Sequence, residues 1–239
     1  MRAKHWVVGI SIMVLAGSAG CIDNPSYRSL LMWPPVWQQW REWREDEQYA
    51  ATLYQKLDAI HALRHMADDL SDEDRRVWAA TLNRIISQDS VTVLRSEAVE
   101  ATQYLPLELV EEGLRQAQKD PATAVRIAAC HAWGVRSEPK AVEALATILG
   151  SETDLDVQLA AAKALGRFKD PRAVAALGRV LESKDPALQR RAARSLASAT
   201  GANLGTDIAA WQRYLRGEGA PTRHGNGTLV GLPLPRPFR

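Results

Sequence analysis

Four stretches of this chain repeat one pattern: VLRSEAVEA (93–101), AVRIAACHAWG (124–134), DVQLAAAKALG (156–166) and ALQRRAARSLA (187–197). Their anchoring apolar residues, Leu94, Val125, Val157 and Leu188, lie 31, 32 and 31 positions apart. Self-similarity at such a period confines a chain to a stack of like units, because one unit cannot bury its apolar face alone. The expectation is an all-α, right-handed solenoid of about four helical hairpins with helical caps. Such stacks present extended binding surfaces, so binding is expected rather than catalysis.

Each unit reads as a pair of helices. A-helices are expected at about 72–87, 107–118, 139–149 and 171–182, and B-helices at about 91–104, 122–134, 155–166 and 187–199. Ser71 is a suitable N-cap, and Asp170-Pro171 and Asp185-Pro186 each place an N-cap Asp before a Pro at the first helical position. Gly134 and Gly166 fall at helix C-termini, where a left-handed residue is expected to be Gly. A helical pattern at 47–70 and a last helix at about 207–215, carrying Trp211, would cap the stack. The solenoid is therefore bounded at 47–216, and the Pro, Gly and basic residues of 217–239 read as a disordered tail. Its PLPRP run favours polyproline II.

The start of the chain reads differently. Arg2 and Lys4 precede an apolar run, Trp6–Leu15, then small residues, then Cys21. This is the order of an export signal over 1–20. The run is too short for the roughly 20 residues of a bilayer span. Ser18-Ala-Gly-Cys21 resembles a bacterial lipobox, although Ser18 stands where that pattern favours Leu. The resemblance implies lipidation of Cys21 and a membrane anchor in the bacterial envelope, facing the periplasm or exterior. Ordinary secretory cleavage near Cys21 is the alternative. Residues 21–46 read as a tether with a Trp-rich segment: Trp33, Trp37, Trp40 and Trp43. These tryptophans suit either a membrane-interface belt or packing on the open end of the solenoid.

A motif recurs within the units: Asp, an Arg six residues on with Val just before it, then Ala-x-x-Ala-Leu-Gly. It resembles the HEAT repeat, in particular the short variety shared with phycobilin lyase subunits, over about 72–200. The resemblance implies a ladder of acid–Arg pairs between successive B-helices. Asp89/Arg95 and Asp120/Arg126 fit it, whereas Glu152/Gln158 and Ser183/Gln189 depart from it, so bonding between the later units must differ. An alternative function is a structural subunit of an envelope complex; the resemblance also suggests a tetrapyrrole-lyase activity, for which the chain shows no convincing acid or nucleophile set.

Stacking aligns equivalent residues into columns. One column reads Glu100, His131, Lys163, Arg194, and another reads Glu97, Ala128, Ala160, Arg191. Both are expected to be exposed on the B-helices. Charge passes along them from acidic to basic: residues 72–118 hold 9 acids and 5 bases (net −4), and residues 158–217 hold 4 acids and 11 bases (net +7). Fields of this kind steer charged partners. The candidate binding residues are Glu97, Glu100, His131, Lys163, Arg167, Arg190, Arg191 and Arg194, with protein partners expected. Nucleic acid is not expected, because no aromatic platform is interleaved with the bases.

Other chemistry is sparse. His61 and His65 lie four apart on one helix, a spacing that can share a metal, but two surface histidines are the simpler reading. His131 has no obvious carboxylate to orient it. Cys130 falls in an apolar column with Val99, Ala162 and Ala193 and reads as a small buried hydrophobe. No nucleophile elbow or phosphate loop is present. No enzyme activity, cofactor or metal is expected.

Overall fold

A computed structural model describes residues 52–218. The described residues belong to one compact unit. The export signal, Cys21, the Trp-rich tether and the residues from 219 on lie outside the described range.

Ten α-helices follow one another, with no strand among the described residues: α1 (Leu53–Met66), α2 (Asp72–Gln88), α3 (Thr92–Ala101), α4 (Leu107–Ala117), α5 (Thr123–Gly134), α6 (Pro139–Ser151), α7 (Leu155–Leu165), α8 (Pro171–Val180), α9 (Pro186–Thr200) and α10 (Ile208–Leu215). The even helices α2 to α8 are the A-helices, and the odd helices α3 to α9 are the B-helices. Helix α1 is shorter than the 47–70 pattern suggests. Thr52 starts it with a capping box: Thr52 Oγ1 accepts from the Gln55 N–H at 3.3 Å, while Gln55 Oε1 accepts from the Thr52 N–H at 2.9 Å. Helix α3 ends at Ala101 and the chain tightens into a 3₁₀ turn at Thr102–Tyr104. Asp170 and Asp185 cap α8 and α9 as expected, each with Pro in the first turn.

The repeat anchors make the core. Leu94, Val125 and Val157 are fully buried and Leu188 nearly so, each contributing about 2 kcal/mol by removal from water. The alanine columns behind them are buried too, which lets neighbouring helices approach closely. The B-helices form a continuous row, each packed along the next from α3 to α9, with α1 extending the row at its start. In the A-row α2 packs on α4 and α6 on α8, and α4 and α6 are joined by Lys140 Nζ donating to the Glu111 carboxylate at 2.7 Å.

Gly134 and Gly166 are not left-handed as expected: Gly166 has φ −62, and only Gly201, Gly205 and Gly217 have positive φ among the described residues. Their reason is contact. A Cβ on Gly134 would meet Ala164 Cβ at 2.8 Å, and one on Gly166 would meet Ser195 Cα at 2.9 Å. Glycine there lets α5 approach α7 and α7 approach α9.

At the far end α10 packs on α9 and α8. Trp211 is fully buried, donates from Nε1 to the Gly205 carbonyl at 3.0 Å, and meets Tyr214 edge-on at 5.7 Å.

Candidate binding face

The B-helices are held in register by side chains that reach from one unit to the next. Arg95 Nε and Nη2 both donate to the Asp120 carboxylate at 2.8 Å, while Nη1 donates to its own unit's Asp89 carbonyl at 3.0 Å. Arg126 repeats the arrangement one unit later. Its Nε donates to Glu152 at 2.8 Å, its Nη1 to the Asp120 carbonyl at 2.9 Å, and its Nη2 lies 3.6 Å from Asp154. Two-pronged guanidinium–carboxylate pairing fixes geometry as well as energy. Burial opposes the charge on Asp120, but the bonds from Arg95 and from the Ala122 N–H outweigh it and hold that carboxyl below its ordinary range. Glu152 is lowered likewise, its burial outweighed by the Asp154 and Thr153 N–H groups and by Arg126.

There the ladder stops. Gln158 donates to the Glu152 carbonyl within its own unit at 2.7 Å, and Gln189 does the same to the Ser183 carbonyl at 2.8 Å. No ion pair links α7 to α9 among the described residues, so the departure read from the sequence is a real change of chemistry.

A second tie escaped the sequence reading. Arg136 is buried just past α5, donating from Nη2 to the Thr102 carbonyl at 2.7 Å and from Nη1 to the Leu105 carbonyl at 3.4 Å. It satisfies carbonyls at the end of the preceding unit's B-helix. Burial lowers its pKa. The signal was available: eleven residues past each anchor the column reads Leu105, Arg136, Phe168, Ala199, so an Arg sits in an apolar column.

The outer side of the B-row carries the candidate residues. His131, Lys163 and Arg194 are exposed and Glu100 is half-buried. The companion column does not: Ala128 and Ala160 are buried, leaving only Glu97 and Arg191 partly exposed at its ends. Its middle is a floor of small residues beside the polar row, because each B-helix leans toward its neighbour at that position. Val93 and Val135 are about half exposed (55% and 49%) on the same face, seven before Glu100 and four after His131. Arg167 is exposed and donates to the Gly134 carbonyl at 3.3 Å.

The acids of the face are already partnered. His131 Nδ1 lies 3.1 Å from Glu100 Oε1, so His131 does have a carboxylate to orient it, contrary to expectation. The partner was the adjacent member of its own column. His61 Nε2 lies 3.1 Å from Glu97 Oε2. Among the described residues no cluster of three or more His, Cys, Asp or Glu could hold a metal ion. The cations at the other end differ. The side chains of Lys163, Arg190, Arg191 and Arg194 have neither a hydrogen-bond nor an ion-pair partner among the described residues. Cys130 is fully buried, and burial pushes its thiol up to about 12, so it is a neutral thiol at ordinary pH.

Residues 151–207 match a family model described as HEAT repeats. The fold is a HEAT-type solenoid. The matched stretch holds α7, α8 and α9. The apolar columns of the B-helices run back through α5 and α3. No curated protein matches the chain. No described helix is long and apolar enough to cross a membrane.

Proposed function

We propose that this chain is a bacterial lipoprotein, anchored through Cys21 outside the cytoplasm, that works as a scaffold binding protein partners on the inner face of its B-helices. HEAT repeats commonly mediate protein interaction, which supports the general class. The observation that carries the reading is the row Glu100, His131, Lys163, Arg194. It crosses the four B-helices in their packing order, and its two middle helices carry a floor of buried alanines. Extended inner faces of solenoids are where long contacts form. In this reading the chain is not an enzyme. The His131–Glu100 pair resembles the orienting half of a catalytic triad, but no hydroxyl or thiol bonds the other ring nitrogen among the described residues.

The test is recovery of partners from membranes extracted in mild detergent. Tagged wild-type chain is compared with an Arg190→Glu, Arg191→Glu, Arg194→Glu variant and with Cys21→Ala. The expected result is a prey lost from the charge-reversed variant, with Cys21→Ala released from the membrane fraction. The same prey in both the wild-type and charge-reversed lanes would remove the B-face from the proposal. Cys21→Ala remaining with the membrane would remove the anchor.

A further inference from the structure

Resting on the reading of the B-face as a protein-binding surface, we infer that its partner is an extended protein segment, acidic where it crosses α9 and α7, and neutral or basic where it crosses α5 and α3. The juxtaposition that carries this is a row of four helices whose acids are internally partnered and whose cations are not.

The charges come first. Glu97 and Glu100 each have a histidine within 3.1 Å, supplied by the helix on either side of α3. At the other end Lys163, Arg190, Arg191 and Arg194 have no side-chain partner among the described residues. Where Asp120 and Glu152 answer Arg95 and Arg126, the next two ladder positions hold Gln158 and Ser183, so cation and acid are lost together. The imbalance lies outside the ladder: residues 158–217 hold 11 bases against 4 acids, so acids to pair these cations are few at this end of the stack. A charge-assisted contact from outside is the remaining way to pair them.

The shape comes second. The cations stand toward one end of a row of four stacked helices, along which a single extended chain can run. Between the ends, Ala128 and Ala160 form a floor without protruding side chains, where a backbone can approach closely. Neighbouring packed helices lie about 10 Å apart, and an extended chain rises about 3.3 Å per residue. One partner side chain in about three therefore meets each B-helix, and about ten residues span α9 to α3.

The order of charges comes third. A uniform polyanion long enough to bind along the row would meet Glu97 and Glu100 at its far end and be repelled there. A protein segment can change its charge along its length. Exposed Val93 and Val135 lie toward that far end and suit an apolar side chain beside its neutral part.

The test selects from a phage library of random twelve-residue peptides on the full chain in detergent, at two salt concentrations. The parallel bait is an Arg190→Gln, Arg191→Gln, Arg194→Gln variant. Because these side chains make no bond among the described residues, the variant should melt like wild type by circular dichroism. The expected enrichment is for Asp and Glu clustered toward one end of the peptide, spaced about three apart, with apolar or basic residues toward the other. Selected peptides should bind the variant at least tenfold more weakly, and should weaken with salt. Three results would each overturn the inference. The first is enrichment without acids, or with acids throughout. The second is equal binding to the variant. The third is binding of phosphatidylglycerol vesicles that competes fully with every selected peptide. If the membrane pull-down yields a prey dependent on the B-face while the library shows no acidic bias, the inference falls and the binding reading stands. If neither yields anything, both fall.

Discussion

The interface between α3 and α5 and that between α7 and α9 join equivalent helices by different chemistry. At the first, Arg95 spans the gap to Asp120, and both side chains are largely buried at 11% and 7% exposure. At the second there is no rung, and Gly166 lies against Ser195 so closely that a Cβ would reach the Ser195 backbone. Between them, α5 and α7 use both devices, Arg126 with Glu152 and Gly134 with Ala164. A polar rung sets register by direction. A glycine contact sets it by shape. One repeat can pass from the first to the second without changing its apolar columns.

The comparison breaks most easily at the rung. Asp120→Ala leaves Arg95 buried without its carboxylate and frees the Ala122 N–H, so it should cost about 3 kcal/mol in urea unfolding. An equal cost from Asp170→Ala, which pairs with the half-exposed Arg172 on its own helix, would show that the rung has no special weight. The glycine interface is tested by Gly166→Val. The added carbons must push α7 and α9 apart, at about 2 kcal/mol. Because contacts in a stack are mostly between neighbours, hydrogen exchange should rise at α9 and α10 and stay unchanged at α3. Uniform destabilisation would erase the distinction between the two ends. The smallest effect comes from acid. A carboxyl whose folded pKa is depressed contributes stability above its unfolded value and loses it as pH falls through the folded one. The ordinary values are 4.5 for Glu152 and 3.8 for Asp120, and both groups are lowered in the fold. Protection of α5 should therefore begin to fall below about pH 4.5, ahead of α9. Loss at α9 first would place the acid-sensitive joint elsewhere.

Much of this was legible because a repeat writes each core position four times. The columns headed by Leu94, Val125, Val157 and Leu188 located the B-helices to within a few residues. The fading of the ladder at Gln158 and Ser183 was visible as substitutions in a register. What was missed has one physical origin: pairing across units. Gly134 and Gly166 look like ordinary helix ends when read along the chain, and only the neighbouring helix shows why they lack a Cβ. His131 looked unpartnered because its carboxylate is 31 residues away, although Glu100 is the next member of its own column. Arg136 breaks an apolar column, and the carbonyls it bonds belong to the unit before it. The partner-binding role of Glu97, Arg167, Arg190 and the rest of the face is a matter of what lies outside the chain, which no column records.

A stack of like units has no inherent last member, since each exposes the surface that the next would cover. Trp211 resolves this for one end. With its indole wholly enclosed, its N–H engaged by Gly205, and Leu215 reaching over Gly178, α10 lays an unlike helix across the last hairpin. Among the described residues that end thus offers an unlike helix in place of the surface a further like unit would cover, which disfavours open growth from it.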